Sequence, residues 1–398
     1  ALVFRRVQYR YRKRGFQFDL SQSLFSSAGV DNGTHLLLSM IAEELEPDAH
    51  ARIVDLGSGT GTLGIPLAGV ADAELVAIDR DARAVAFTER NARLNGIEHL
   101  SAHTALTVPD DVPDRRELVV SNLPAKAGEP VLRMLVTHIA RRATVSAGTA
   151  AVVIVKPLAS LLAGLLEEVG ATVVAERRTA SHAAVIFRCA VAPEEVEADQ
   201  VDRELPASFL RTTETFQGPK KRYEMRTVYN LPEFDGLSYR TALAFDLLTE
   251  HKPGGRVLLY GCGQGHVAVG LGQRGGSNMR LEIADRDLLA LRITRANATH
   301  NGVEPERVVT VPTPGMLVHH GEPGSYAWVV VDDDPAAGSR WNEEIASLVD
   351  LLDAGGVLLV VSRSTTVSRL QRFAGTRVRQ ISERRMHGFR ASLLAPRR

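Results

Sequence analysis

The most regular feature of the chain is a set of short, largely apolar runs, two of them leading straight into glycine-rich loops. Ile53-Val54-Asp55-Leu56 leads into Gly57-Ser58-Gly59-Thr60-Gly61, and Val257-Leu258-Leu259-Tyr260 leads into Gly261-Cys262-Gly263-Gln264-Gly265. Leu118-Val119-Val120, Ala151 to Val155, Trp328 to Val331 and Val357 to Val361 are further runs of the same kind. They are continuously apolar rather than alternating, as expected of strands covered on both faces. Helix-like stretches separate them, and this alternation predicts doubly wound, largely parallel α/β sheets.

The second half of the sequence repeats the first at an offset of roughly two hundred residues. In each copy the glycine loop is followed by a helical stretch and a strand ending in an acid, Asp79 or Asp285, which is expected to open the next helix. Those helices close at Asn91 to Gly96 and at Asn297 to Gly302, where Asn-Gly reads as a left-handed C-cap. A chain of 398 residues exceeds the usual size of one domain. The acidic, weakly apolar stretch that begins at Pro193 marks an expected linker over residues 193–222, between domains at 1–192 and 223–398. The layout predicts two tandem domains that diverged after duplication.

Gly57, Gly59 and Gly61 allow the backbone to turn sharply and approach a ligand, and an acid at the end of the next strand, Asp79, is placed to accept hydrogen bonds from ribose hydroxyls. Asp55 precedes the loop and joins the same candidate site. Both loops space their glycines as GxGxG rather than GxGxxG, which favours S-adenosylmethionine over a dinucleotide. The segment after the fourth strand, Ser121-Asn122-Leu123-Pro124-Ala125-Lys126-Ala127-Gly128, should border the reacting group. Asn122 could orient an amine without acting as a base, and Lys126 is either a contact for an acidic group of the substrate or a solvent-facing side chain.

In the second copy Gly261, Gly263, Gly265 and Asp285 form a possible second cofactor site, but Leu259 stands where the first copy has Asp55. Its fourth-strand segment reads Asp332-Asp333-Asp334-Pro335, without the asparagine. Catalysis is therefore expected in the first copy, with the second aiding substrate recognition. Consecutive acids at a strand end point in different directions and no histidine is spaced to join them, so no metal is expected. Tyr229 to Asp235, which resembles the Asn-Pro pattern superficially, lies before the glycine loop and reads as a lead-in segment.

Taken together, Leu24 to Thr34, Asp55 to Gly61, Asp79, Asn91 to Gly96 and Asn122 to Gly128 make the first copy resemble the small-domain class I methyltransferases that modify the exocyclic N2 of guanine in bacterial ribosomal RNA. Several of these are themselves tandem duplications. The resemblance implies S-adenosylmethionine as cofactor and Asn122 as the residue that holds the target amine. In that family the motif reads Asn-Pro-Pro-Phe or similar; here Asn122 and Pro124 match, Leu123 replaces a proline and Ala125 replaces the aromatic ring that stacks on the base. The acceptor stays open between a base of ribosomal RNA and a small molecule or peptide, and a non-catalytic assembly protein is the reading from a different class.

Charge changes this picture only locally. Lys+Arg and Asp+Glu each total 47, so no global positive field advertises nucleic acid. Arg5, Arg6, Arg10, Arg12, Lys13 and Arg14, interleaved with Tyr9 and Tyr11, form either an RNA-gripping patch or a half-buried strand whose tyrosines face a core. Lys220, Lys221, Arg222 and Arg226, and the later Arg384, Arg385, Arg390, Arg397 and Arg398, add further local charge. No apolar run is long enough to span a bilayer, the chain opens without the apolar core of a secretory signal, and its two cysteines lie far apart. A cytoplasmic protein without disulfides is expected.

Overall fold

The computed structural model describes residues 3–24, 29–46, 49–108, 114–194, 205–233, 235–316, 321–332 and 341–397. Phe25 to Ala28, residues 195–204 of the expected linker, Phe234, Asp333 to Pro335 and Arg398, all covered above, lie outside the described residues. The chain divides into two compact units, Ala1–Ala198 and Asp199–Arg398.

In the first unit a hairpin of β1 (Arg5–Tyr11) and β2 (Arg14–Leu20) precedes α1 (Asn32–Glu44). The sheet strands are β3 (Arg52–Leu56), β4 (Glu74–Asp79), β5 (Leu100–Thr104), β6 (Glu117–Asn122), β7 (Thr149–Val155), β8 (Ala171–Arg178) and β9 (His182–Cys189). Helices α2 (Gly64–Ala71), α3 (Ala82–Leu94), α4 (Glu129–Val145) and α5 (Ala159–Glu168) connect them. The order across the sheet is β5-β4-β3-β6-β7-β9-β8, parallel from β5 to β7, with β9 antiparallel to both its neighbours. From β3 the chain runs outward to one edge and returns to β6 on the other side. The C-terminal end of β3 is therefore the switch point where an open α/β sheet leaves a crevice, and the glycine loop sits there.

The basic N-terminal segment is the hairpin, with one face in the core. Tyr11, Phe16, Phe18 and Leu20 are buried against Leu37 and Leu38 of α1 and Ile65, Leu67 and Ala68 of α2. This corresponds to the half-buried strand alternative. The alternation puts arginine on the other face, because successive strand residues point to opposite sides.

Asn91 joins the hairpin to the glycine loop. Its Nδ2 donates to the carbonyls of Thr60 (2.8 Å) and Asp19 (3.0 Å), while its Oδ1 accepts from the amide of Asp19 (2.8 Å). One turn later Asn95 does the same for Gln17, accepting from its amide and donating to its carbonyl at 2.7 Å. Gly96, at φ 67°, completes the expected left-handed helix end. The pair of asparagines thus does more than end a helix.

The second unit repeats this plan. A hairpin of β10 (Leu210–Gln217) and β11 (Arg222–Val228) is followed by α6 (Tyr239–Glu250), β12 (Arg256–Tyr260), α7 (His266–Arg274), β13 (Arg280–Asp285), α8 (Leu288–His300), β14 (Val308–Pro312) and β15 (Tyr326–Asp332). Then come α9 (Trp341–Leu348), β16 (Leu352–Arg363), α10 (Ser364–Phe373), β17 (Val378–Met386) and β18 (Phe389–Pro396), in the sheet order β14-β13-β12-β15-β16-β18-β17. Asn297 and Asn301 reproduce the strap, binding Arg226, Gln264 and Glu224.

Two expectations change. The linker does not run to residue 222, because residues 210–217 already form the first strand of the second hairpin and Phe216 is buried. Asp79 and Asp285 do not open the next helices; Asp81 and Asp287 cap them, accepting from Arg83 and Leu289. The strand-end carboxylates are thereby left to the loop.

If the asparagine strap orders the hairpin against the loop, Asn91→Ala leaves a buried amide and two carbonyls unpaired and should cost about 3 kcal/mol. Urea unfolding followed by circular dichroism measures this, and an unchanged midpoint would show that the strap carries no stability.

Candidate active site

Gly57, Gly59 and Gly61 all have left-handed backbones, φ 79°, 57° and 81°. At Gly61 space adds to the constraint, since a Cβ would come within 2.5 Å of the Ile65 side chain. The loop is held by its neighbours. The amides of Gly57 and Ser58 both donate to the carbonyl of Ile78, and Thr88 Oγ1 donates to the carbonyl of Gly59 at 3.2 Å. Asp79 accepts from the amide of Gly59 at 2.9 Å through one oxygen and from that of Asp81 at 2.9 Å through the other. Burial nevertheless raises its carboxyl to about 6, outweighing these two amide bonds.

Asp55 is more enclosed. Its Oδ2 accepts from the amide of Gly64 at 2.8 Å, the first residue of α2, while its Oδ1 is buried without a hydrogen-bond partner among the described residues. Burial, with the Asp79 charge added, lifts this carboxyl to about 7. A Cβ at Gly64 would lie 2.8 Å from the same carboxylate oxygen, so the glycine is what lets the helix approach. A buried and a half-buried carboxylate beside a glycine loop suit a ligand that donates hydrogen bonds, through hydroxyls and an amine, and repel a pyrophosphate. S-adenosylmethionine meets that requirement. The unpartnered Oδ1 of Asp55 is an acceptor that would fit its ammonium group.

Asn122 ends β6, directly after Ser121, whose Oγ donates to the carbonyl of Leu56 (2.7 Å) at the start of the loop. Asn122 Nδ2 donates to Asp31 Oδ1 (3.1 Å) and Thr34 Oγ1 (3.3 Å). Asp31 is itself the N-cap of α1, accepting from the amides of Gly33 and Thr34 and from the Thr34 hydroxyl. With both amide hydrogens committed, Oδ1 is the remaining polar atom of the Asn122 side chain, an acceptor. Leu123 is buried and donates its amide to Val153 at 2.9 Å, a bond proline could not make. Pro124, Ala125 and Lys126 are exposed.

Sequence reasoning did not assign roles to Asp31, Thr34 and Thr88. Asp31 carries a signal of its own, since Asp ahead of a helical stretch is a preferred N-cap residue. His182, at the start of β9, also faces this end of the sheet. A Cβ on Gly33 would fall 3.0 Å from both its imidazole Cδ2 and Asp31 Oδ1.

The second unit keeps the loop and changes its lining. Gly261, Gly263 and Gly265 are again left-handed, at φ 80°, 52° and 98°. Asp285 accepts from the amide and the thiol of Cys262. Leu259 replaces Asp55, and Arg240, at the α6 position matching Gly33, pairs with Asp332 at 3.4 Å, at the β15 position matching Asn122. His266 fills the helix entrance, bonded to Tyr223 Oη (2.8 Å) and the Glu233 carbonyl (3.1 Å), and Phe216 meets its ring edge-on at 4.6 Å. Among the described residues the cavity between Gly261, Cys262, His266, Arg240 and Asp332 measures about 30 Å³, room for a water.

The basic hairpin is partly committed to the fold. Arg6 pairs with buried Asp19 at 2.7 Å, as does Arg90; Arg12 donates to the carbonyls of Ala42 and Leu45 at the end of α1; Arg14 reaches Gly69 and Asn95. Arg5, Arg10 and Lys13 are exposed.

Fold, switch-point loop and strand-end acid define both units as class I methyltransferase-type domains. Residues 15–180 match the family model of the Methyltransferase small domain. The chain is 34% identical over 115 residues to the Ribosomal RNA small subunit methyltransferase C of Chromohalobacter salexigens, covering 29% of this chain and 34% of that protein. It is 30% identical over 129 residues to the uncharacterized protein YbxB of Bacillus subtilis, covering 32% of this chain and 63% of the relative. The chain thus spans about a third and just under two thirds of these relatives' lengths. Across the whole chain it shares the fold of a solved 16S rRNA N2 methyltransferase (RsmC) of T. thermophilus, in complex with AdoMet and guanosine. That match has a TM-score of 0.68 at 16% identity and covers 100% of this chain and 99% of that one. No helix of the described residues is long and apolar enough to cross a membrane.

The raised carboxyl of Asp55 has a pH signature. An aspartate in the unfolded chain loses its proton near 3.8, whereas the folded one holds it to about 7. Its contribution to stability is therefore full below the first value and lost as the pH rises through the second. Asp55→Asn, which keeps the acceptor for Gly64, should gain stability relative to the wild type between about pH 4 and 7. Urea midpoints measured across this range test it, and parallel profiles would refute the buried-acid reading.

Proposed function

We propose that the chain transfers a methyl group from S-adenosylmethionine to the exocyclic N2 of a guanine in ribosomal RNA, with the first unit catalytic and the second recognising substrate. The observation that carries this reading is Asn122, locked by Asp31 and Thr34 with one carbonyl oxygen presented beside the glycine loop. When bound, S-adenosylmethionine supplies an electrophilic methyl carbon.

The protein's task is to hold an acceptor nitrogen in line with that carbon. Asn122 Oδ1 and the backbone that follows would accept from the exocyclic amine, orienting its lone pair without removing a proton. Asp79 and Asp55 would accept from the cofactor's hydroxyls and amine, and Gly57, Gly59 and Gly61 leave the space. Lys126, exposed beside this segment, is proposed as a contact for a phosphate of the acceptor, and Arg5, Arg10 and Lys13 as supplementary cations. The similarity to the RNA methyltransferase relative, and the guanosine in the complex that shares this fold, support guanine over a small molecule or peptide.

Calorimetric titration of S-adenosylmethionine is the first test. A stoichiometry near one is expected, abolished by Asp79→Ala and unchanged by Asp285→Ala. With methyl-labelled cofactor and ribosomal RNA, Asn122→Ala should lower kcat about a hundredfold with the cofactor affinity retained. Label found only on small acceptors would overturn the RNA assignment, and equal loss of binding in both aspartate variants would overturn the division of labour.

A further inference from the structure

Although the chain as a whole is neutral, its end is not. From Arg363 to Arg398 it carries ten arginines and one acid, Glu383, whereas the matching stretch of the first copy, residues 155–190, carries four basic and three acidic residues. The difference concentrates on one helix. In the first unit α5 exposes Ser160, Glu167 and Glu168; in the second α10 exposes Thr365, Arg369, Arg372 and Phe373. Thr365, Arg369 and Arg372 follow one another at helical spacing and share a stripe.

Beneath this stripe lies a groove of about 450 Å³ lined by Ser364, Thr365, Ser368, Arg369, Arg372 and Arg390. Its floor is Arg390, 8% exposed. Its Nη1 donates to Gln371 Oε1 at 3.2 Å and lies 3.4 Å from Glu383 Oε2, while its Nε is buried with no hydrogen-bond partner among the described residues. Glu383 is shared with Arg385, so one carboxylate faces two guanidinium groups here. No side chain caps the N-terminus of α10 either. The groove therefore combines a buried unsatisfied donor, two exposed guanidinium groups, three hydroxyls and the positive end of a helix, all of which favour an anion with several oxygens.

We propose that this groove binds the phosphate backbone of the substrate RNA. The proposal rests on RNA being the acceptor. Openness along α10 and the exposed ring of Phe373 at its end, 57% exposed, fit a polymer whose phosphates meet arginine while an unpaired base stacks on the aromatic. The site is absent from the first copy, where glutamates occupy the same helix, so it gives the second unit a recognition surface of its own.

The test uses the full chain and a fluorescein-labelled ribosomal RNA hairpin, with binding followed by anisotropy at increasing salt. The double variant Arg369→Glu, Arg372→Glu should weaken binding at least about tenfold and flatten the slope of log affinity against log salt by about 1.5, as expected for two lost phosphate contacts. Lysines at both positions should restore most of the affinity, and titration with S-adenosylmethionine should be unaltered in both variants. Unchanged RNA affinity and slope in the glutamate variant would overturn the groove assignment alone. A wild type that takes up S-adenosylmethionine but binds no hairpin would overturn the RNA reading with it. Inorganic phosphate matching the hairpin in affinity would assign the groove to a free phosphate instead.

Discussion

A buried side-chain amide that bonds two separate backbone segments at once is the interaction on which each unit depends. A loop with three left-handed glycines has only two side chains to pack, Ser58 and Thr60, both buried, and glycine loses the most conformational freedom on ordering. Such a loop keeps one shape only if its surroundings over-determine it. Asn91 fixes the carbonyl of Thr60 and, through Asp19, the hairpin; Thr88 fixes the carbonyl of Gly59; Asp79 fixes its amide. The hairpin in turn buries Phe16 and Phe18 against α1 and α2, the helices on either side of the loop. Remove the asparagine and the loop, the hairpin and the helix entrance lose their common anchor.

The second unit retains this scaffold and changes what the scaffold presents. Asn297 and Thr294 hold the Gly261 to Gly265 loop as Asn91 and Thr88 hold the first. What differs lies on the ligand side: Leu259 for Asp55, His266 at the helix entrance, and an Arg240–Asp332 ion pair in place of the Gly33 and Asn122 environment. Each change brings its own internal partner. The second crevice is therefore filled by its own side chains, whereas in the first unit Asp55 Oδ1 has no hydrogen-bond partner among the described residues.

Much of this was legible in the sequence because doubly wound sheets write themselves in continuous apolar runs. Strands β3, β6, β7, β12, β15 and β16 all coincide with such runs, and glycine loops follow β3 and β12 at once. Strand β17 was not legible, since it is the edge strand of its sheet and its exposed positions read as polar, as in Arg379 and Arg385. The N-terminal patch shows a different limit. The alternation of arginine and tyrosine is the same whether one face meets RNA or a core, and only the register of Tyr9 opposite Phe16 and the burial of Tyr11 separate the two. Asn122 could be found from its motif, but its orientation could not, because it depends on Asp31 and Thr34, some ninety residues earlier in the chain.

The buried acids explain why the first unit would keep a feature that works against its own stability. Burial raises both Asp55 and Asp79, and the Asp79 charge adds to the cost of ionising Asp55, so at neutral pH the site is held with its acids partly protonated or its charges unneutralised. A ligand that brings an ammonium group and a ribose diol reverses this: each donor it offers favours the carboxylate form, so binding and ionisation reinforce one another. The second unit, with leucine in place of Asp55, has surrendered that coupling along with its cost. The contrast between two copies on one scaffold is thus what a division between cofactor binding and substrate recognition would leave behind: an acid pair in one crevice and, far along the other sheet, a row of arginines.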